Sequence, residues 1–385
     1  MANLIKIVQD LAETIGPRPP TSAAEAEAAA YVNAHMRQAG MDVDVQLFHA
    51  VPTTSIPYGL IYLACTLTPL VYYYSPPAAL GVSLFALAAF VLETLSIPVL
   101  SAWLPGGQSQ NVVGTRPAAQ ESYQHLVLTA HLDSARASLP FHPRLIGSLR
   151  RTFLLTAAAI IALPILVGMG WWIGQAWLWY AQWAPAALLA LALLTLLHRD
   201  ILMPCVAGAN DNASGVAVLL HMAQELKGLQ NTDLWLVATG CKEAGLHGVR
   251  HFLRQYPFPR DHTYLVNLDT VGRGQLYLIV REGMLWTHRA DPHLDELAGR
   301  AEADDITIDA DPRAYRLLNS DAQAAMIRGF RAITVTALEG GRPANWHWPT
   351  DTLEHIQPEL LERTTCLVEG IARRLDRLAT ERQTP

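Results

Sequence analysis

The sequence predicts an α/β fold, with helices packed on a mostly parallel β-sheet, into which two membrane-spanning helical hairpins are inserted. Short apolar runs alternate with amphipathic helical patterns along the second half of the chain, which is typical of a parallel sheet. Two other stretches contain almost no charged residues. Only 16% of the 385 residues are charged, against about 25% in soluble domains, so part of the chain is expected to lie in lipid.

The first fifty residues are predicted to form two helices and a strand. Residues 3–14 have an amphipathic pattern that ends at a Gly-Pro-Arg-Pro-Pro turn. Ser22 and Glu25 form a capping box at the start of a second helix, which ends at Gly40. Apolar and polar residues alternate over 41–48, which indicates a strand.

The first hairpin is predicted over residues 56–104. Residues 56–74 carry no charge, and after a Ser-Pro-Pro break a second apolar run reaches residue 104 with Glu93 as its only charged residue. Roughly 20 apolar residues are enough for a helix to cross the hydrocarbon core of a bilayer. The alternative is a pair of helices buried in a soluble core.

The second hairpin is predicted over residues 152–197, which contain no Asp, Glu, Lys or Arg. This apolar run divides near residues 168–175. Tryptophans are enriched where helices meet a membrane interface. Five of them surround the division: Trp171, Trp172, Trp177, Trp179 and Trp183.

The other three segments, residues 1–55, 105–151 and 198–385, are predicted to form one α/β domain. Each hairpin returns the chain to the side of the membrane that it left, so the three segments lie on one side. The hairpin tips carry no charge, and four arginines flank the second hairpin: Arg144, Arg150, Arg151 and Arg199. The positive-inside rule therefore predicts an integral membrane protein with four spans and this domain on the cytoplasmic face.

The elements of the α/β domain follow from the apolar periodicity. Strands are predicted at 110–114, 124–130, 233–239, 263–268, 275–280 and 332–337, and helices at 216–227, 246–256, 291–302, 321–328 and 358–379. The net charge of −6 is spread along the chain without a basic stripe, which argues against a nucleic-acid partner.

Five residues with metal-binding side chains fall at strand ends or in the turn before a helix: His131, Asp211, Glu243, Asp269 and His347. In α/β sheets, ligands collect at the carboxyl ends of the strands. Nitrogen and oxygen donors suit Zn²⁺, and a carboxylate shared by two metal ions would form a co-catalytic pair. Each residue alone is more often structural, but the set predicts a metal site. Asp133 is either a capping acid or a group that orients His131.

Seven short motifs support a more specific interpretation. They are I-G-P-R-P (15–19), A-H-L-D-S (130–134), G-A-N-D-N-A-S-G (208–215), G-C-K-E-A-G (240–245), N-L-D-T-V-G (267–272), N-S-D (319–321) and H-W-P-T-D-T (347–352). In type and order they resemble the motifs of the di-zinc aminopeptidases, which are related to glutamate carboxypeptidase and glutaminyl cyclase. The resemblance covers nearly all of the chain outside the hairpins. It implies a three-layer sandwich around a mixed, mostly parallel sheet of the zinc-exopeptidase type.

The resemblance also implies a zinc centre and an activity. Asp211 would bridge two zinc ions. His131 and Asp269 would complete one site, and two zinc ions per chain are expected, with a single zinc as the alternative. Glu243 and His347 would complete the other site. The family removes the N-terminal residue of a peptide, with zinc activating a water molecule and a glutamate acting as general base.

Lys242 departs from the family pattern, which has two consecutive glutamates here, first the base and then the metal ligand. The chain keeps the ligand, Glu243, and has a lysine at the base position. A charged lysine has no acceptor and cannot take a proton from water. Either a lysine with a depressed pKa serves as base, or zinc supplies hydroxide unaided at a reduced rate, or the chain is inactive. Asp133 matches the family's acid that supports the first histidine.

The sequence therefore predicts a zinc-dependent metallopeptidase, an aminopeptidase that acts on short peptides at a membrane surface. Because of Lys242, the first alternative is a catalytically impaired, membrane-anchored member of the family that binds peptides or acts as a scaffold. The second alternative is cyclisation of N-terminal glutamine. The expected partners are a peptide substrate and the lipid bilayer. The sequence predicts no oligomeric state.

Overall fold

The computed structural model describes residues 2–317 and 319–381. The chain forms two units, which we call the α/β unit and the helical unit. The α/β unit comprises Met1–Pro52, Gly106–Arg136 and Cys205–Pro385, and the helical unit comprises Thr53–Pro105 and Ala137–Pro204. The helical unit therefore consists of two separate insertions in the sequence of the α/β unit.

A nine-stranded sheet forms the centre of the α/β unit in the described residues. Its strands are β1 (Asp42–Ala50), β2 (Gly107–Arg116), β3 (Gln124–His131), β4 (Thr232–Thr239), β5 (Thr263–Leu268), β6 (Gln275–Glu282), β7 (His288–Arg289), β8 (Ala310–Tyr315) and β9 (Arg331–Leu338). They lie in the order β1-β2-β4-β3-β5-β9-β6-β7, and β8 pairs with β6. The strands β4, β3, β5 and β9 run parallel in the middle, with antiparallel pairs on either side. This mixed sheet confirms the predicted fold class.

The described α-helices surround this sheet or form the helical unit. They are α1 (Ala2–Gln9), α2 (Ala23–Gln38), α3 (Ser55–Tyr74), α4 (Pro76–Thr94), α5 (Leu149–Ile173), α6 (Ala176–Leu202), α7 (Ser214–Glu225), α8 (His247–Gln255), α9 (Pro292–Asp304), α10 (Asp321–Ile327) and α11 (Pro358–Glu381). The predicted cap of α2 is present, since the Ser22 hydroxyl accepts the Glu25 N–H at 3.1 Å.

Helices cover both faces of the sheet, because successive side chains of a strand point to opposite faces. In β3, Leu126 and Leu128 pack in a core with α1, α2, α7, α9 and α11. Val127, between them, packs on the other face with α8 and α10. Strands buried on both faces are mostly apolar, which explains why the middle parts of β3 and β5 appear in the sequence as short apolar runs.

The helical unit consists of α3, α4, α5 and α6 with their connections. Helix α3 packs against α4 and α6, and α5 packs against the same two helices. All four are long and apolar enough to cross a membrane. Helix α4 ends at Thr94, earlier than the apolar run, because the Glu93 carboxylate accepts the N–H groups of Val99, Leu100 and Ser101 and folds this segment back onto the helix end.

Exposed aromatic side chains lie at the turn between α3 and α4 and at the turn between α5 and α6. Tyr74 ends α3, Trp172 lies near the end of α5, and Trp177 lies at the start of α6. Their exposed fractions are 84%, 92% and 60%. Exposed aromatic rings next to a charge-free turn are typical of a helix end at a membrane interface.

Each insertion begins and ends at neighbouring positions of the α/β unit. Ala50 and Gly107 are the last paired residues of β1 and β2, and the first insertion connects them. Arg136 and Cys205 form an isolated antiparallel bridge, and the second insertion connects these two. The backbone of the α/β unit is therefore paired across the base of both insertions.

Candidate metal centre

The five predicted ligand residues come together at the carboxyl ends of the parallel strands. His131 is the last residue of β3, and Asp269 directly follows β5. Glu243 follows β4, and His347 lies in the loop after β9. Asp211 lies in a tight turn, Ala209–Ala213, that leads into α7. Parallel strands carry the chain to the same edge of the sheet, which is why residues far apart in sequence meet there.

The first group of possible ligands consists of His131, Asp211 and Asp269. The Nε2 atom of His131 lies 3.0 Å from Asp211 Oδ1 and 3.9 Å from Asp269 Oδ1. All three residues are at most 1% exposed. A buried group of one imidazole and two carboxylates is a set of donors that suits zinc.

The second group consists of Asp211, Glu243 and His347. The Nε2 atom of His347 lies 3.0 Å from Asp211 Oδ2 and 3.1 Å from Glu243 Oε2. Asp211 therefore faces His131 of the first group with Oδ1 and His347 of the second group with Oδ2. A carboxylate that is divided in this way can bridge two metal ions.

The protonation of His131 supports a cation in the first group. Its Nδ1 lies 2.9 Å from the carbonyl oxygen of Asp133, which can only accept a hydrogen bond, so Nδ1 bears the proton. In the neutral ring, Nε2 is then an acceptor that faces the carboxylates of Asp211 and Asp269. Several acceptors that converge in a buried site require a positive charge between them, and a zinc ion meets that requirement.

The pKa values of the two histidines also indicate that the centre attracts a cation. Burial and the Lys242 ammonium lower the pKa of His131, but contacts with the carboxylates of Asp133, Asp211 and Asp269 hold it well above its ordinary value. Burial lowers the pKa of His347, while Glu243 and Asp211 raise it to about 9. Both imidazoles therefore attract a cation, either a proton or a metal ion.

Lys242 lies inside the centre, 7% exposed. Its Nζ is 2.8 Å from Glu243 Oε1, 3.3 Å from Asp269 Oδ2 and 3.8 Å from Asp211 Oδ1. For Glu243 and Asp269, the oxygen near Lys242 is the one that does not face a histidine. Burial lowers the pKa of Lys242, but the charges of Asp211, Asp269 and Glu243 raise it well above its ordinary value.

Asp133 supports the centre in two ways. Its carbonyl oxygen contacts His131 Nδ1, as described above, whereas its carboxylate lies 3.6 Å from that atom. The carboxylate accepts the N–H of Lys242 at 3.0 Å and that of Glu243 at 2.8 Å. Asp133 thus orients His131 and also holds the turn that bears Glu243 of the second group.

Asp351 and Arg18 also hold the centre in place, and the sequence interpretation assigned them no role. The Asp351 carboxylate accepts the N–H of Asn210 at 2.7 Å and that of Asp211 at 3.1 Å. The fully buried Arg18 guanidinium donates to five carbonyl oxygens, including those of Leu132 and Gly208. Both residues lie within the quoted motifs. The sequence signals that could have identified them are the position of Arg18 between two prolines and that of Asp351 four residues after His347.

Comparison with known proteins agrees with this geometry. The model of peptidase family M28 matches residues 181–371. Aminopeptidase YwaD of Bacillus subtilis (strain 168) is 26% identical over an alignment of 201 residues, and the match covers 44% of this chain and 38% of that protein. The chain therefore matches well under two thirds of the length of this relative.

Two solved structures have a similar fold. BSAP, a zinc aminopeptidase from Bacillus subtilis, has a TM-score of 0.58 at 17% identity, over 97% of this chain and 94% of that one. The glutaminyl cyclase of Fimbriiglobus ruber has a TM-score of 0.56 at 14% identity, over 97% and 94% of the two chains. At these identities the similarity is one of fold. Together with the family model and the related aminopeptidase, it supports the assignment of the chain to peptidase family M28.

Proposed function

We propose that this chain is a zinc-dependent aminopeptidase that hydrolyses the N-terminal peptide bond of short peptides. The observation that supports this most directly is the division of Asp211 between two groups of buried ligand side chains. His131 and Asp269 would hold one zinc ion with Asp211, and Glu243 and His347 would hold a second. When bound, zinc would polarise the scissile carbonyl and lower the pKa of water.

The residues of the chain would position this chemistry. Asp133 and Asp351 hold the turns that bear Glu243 and Asp211 through backbone N–H groups, so the ligands are fixed before a substrate arrives. Lys242 would donate a hydrogen bond to the oxyanion that forms during attack, but its ammonium accepts no proton from water. The hydrolysis would therefore be slow, since general-base assistance is worth about 10²–10⁴-fold.

The activity can be tested with the full chain purified in detergent. We expect zinc-dependent release of nitroaniline from leucine p-nitroanilide, loss of this activity on chelation, and recovery when zinc is restored. The N-acetylated substrate is the matched control and should not be cleaved, because an aminopeptidase requires a free amino terminus. Absence of turnover by both the wild type and a Lys242→Glu variant would exclude the proposal.

Assays on the same purified protein distinguish two other functions from an aminopeptidase. A catalytically impaired, membrane-anchored protein that binds peptides or acts as a scaffold is favoured by Lys242, whose ammonium contacts carboxylates of both groups. It would bind zinc and peptides without cleavage. A cyclase, in line with the fold similarity to glutaminyl cyclase, would convert peptides with N-terminal glutamine to pyroglutamyl peptides, with release of ammonia, and would leave leucine p-nitroanilide intact.

We also propose that α3, α4, α5 and α6 cross a membrane and that the α/β unit lies on the cytoplasmic face, so that peptides are cleaved at the membrane surface. The four helices have the required length and composition. Their turns carry no charge, whereas four arginines lie near the opposite ends of α5 and α6: Arg144, Arg150, Arg151 and Arg199. This distribution supports the proposed orientation through the positive-inside rule.

The orientation can be measured by cysteine labelling in intact cells. Cys366 is exposed on the α/β unit, and we expect a membrane-impermeant maleimide to label it only after permeabilisation. A Trp172→Cys variant in a Cys366→Ser background should show the opposite, with labelling in intact cells. Labelling of Cys366 without permeabilisation would place the α/β unit outside.

A further inference from the structure

The Lys242 ammonium connects the two groups of possible ligands. It contacts Glu243 Oε1 at 2.8 Å in the second group and Asp269 Oδ2 at 3.3 Å in the first. It is also 3.8 Å from Asp211 Oδ1, the oxygen that faces His131. The lysine side chain is 6% exposed, and those of Asp211 and Asp269 are 1% exposed, so water screens these contacts little.

The charges in this centre balance with one divalent cation. Asp211, Glu243 and Asp269 contribute three negative charges, and Lys242 contributes one positive charge, which leaves a net charge of −2. One zinc ion makes these groups neutral, whereas a second leaves them with a net charge of +2. An uncompensated charge in a buried site is strongly unfavourable.

The charged residues around the centre do not remove this effect. The carboxylates of Asp133 and Asp351 each accept two backbone N–H groups, and the guanidinium of Arg18 is bound to carbonyl oxygens. Their contribution is the same whichever residue occupies position 242. The Lys242 ammonium adds one positive charge within 4 Å of all three ligand carboxylates.

We propose that Lys242 acts as a built-in counter-cation, so that the centre binds one zinc ion tightly and the second about 100-fold more weakly, a factor between those that a unit charge about 4 Å away gives in water and near a protein surface. The proposal rests on one part of the proposed function, namely that the centre binds zinc. The weaker binding of the second zinc ion makes its occupancy depend on the concentration of free zinc. The aminopeptidase would then be fully loaded only when zinc is abundant.

Zinc titration of the full chain in detergent tests this inference. Competition with a chromophoric chelator gives the two dissociation constants, and elemental analysis after desalting gives the zinc content. We expect the wild type to retain one zinc ion. Lys242→Met, which keeps the aliphatic stem without the charge, should retain two. Lys242→Arg, which keeps the charge, should behave as the wild type.

Thermal unfolding provides a second test, which like the zinc titration does not depend on catalysis. Without metal, Lys242→Met should melt at a lower temperature than the wild type, because three carboxylates then lose their counter-cation. Zinc should raise its melting temperature by more than that of the wild type. Two equally tight zinc ions in the wild type would overturn the inference and leave the proposed function intact. No zinc bound by the wild type or by either variant would overturn both.

Discussion

Replacing Lys242 with glutamate is expected to raise kcat/KM for leucine p-nitroanilide by about 10²–10⁴-fold at saturating zinc, the range typical of general acid–base assistance. The side chain at this position reaches the middle of the centre, since Lys242 Nζ lies 2.8 Å from Glu243 and 3.3 Å from Asp269. A carboxylate there would accept a proton from the attacking water, which the ammonium does not do. Steady-state kinetics at several zinc concentrations measure the effect.

Lys242→Gln is the matched control for this change. Glutamine has the shape of glutamate without its basicity, and like glutamate it removes the positive charge. If kcat/KM rises because residue 242 acts as a base, the rise appears only with glutamate. If it rises because more zinc is bound, it appears with both variants. Equal activity of the two variants at saturating zinc would show that residue 242 does not act as a base in this chain.

Asp211→Asn is expected to abolish zinc retention and to lower kcat/KM by more than about 10³-fold, since the Lewis-acid contribution of a metal is worth several kcal/mol. Asp211 faces His131 with Oδ1 and His347 with Oδ2. An amide bears no charge and offers only one oxygen, so one group loses its shared ligand and the other keeps only a neutral donor. Elemental analysis and the nitroanilide assay measure the two effects.

Two single changes serve as controls for Asp211→Asn. Asp269→Asn alters the first group alone, and Glu243→Gln alters the second group alone. Each should leave the other group able to bind zinc, so both variants are expected to bind more metal than Asp211→Asn does. An Asp211→Asn variant that retains the zinc content of the wild type would contradict the bridging role.

The central part of the fold could be predicted because its signals are local. Short, mostly apolar runs at β3 and β5 indicate strands buried on both faces, and the long charge-free runs correspond to α3–α6. Strand β8 escaped prediction because its sequence, Ala-Asp-Pro-Arg-Ala-Tyr, contains residues that disfavour strands. Within the described part of the chain it pairs with β6 alone, and at such an edge a proline costs no ladder hydrogen bond when its nitrogen faces away.

The candidate site was predictable where the topology determines it. All five candidate ligand residues follow strands or precede a helix, and the parallel sheet brings such positions together. The supporting contacts could not be derived in this way. Asp351 acts on the backbone of Asp211 and Arg18 acts on carbonyl oxygens of separate segments, and backbone groups leave no trace in the amino-acid sequence. The contacts of Lys242 likewise depend on the packing of its side chain among three carboxylates.

The paired positions at the base of each insertion have a consequence for the architecture. Residues paired across antiparallel strands lie about 5 Å apart, a gap that a turn of two residues ordinarily closes. Ala50 and Gly107 form such a pair, and so do Arg136 and Cys205. Each pair of apolar helices therefore occupies the place of a β-turn. We expect that exchanging it for a short loop would leave the register of every strand unchanged, so the helical unit is modular with respect to the α/β unit.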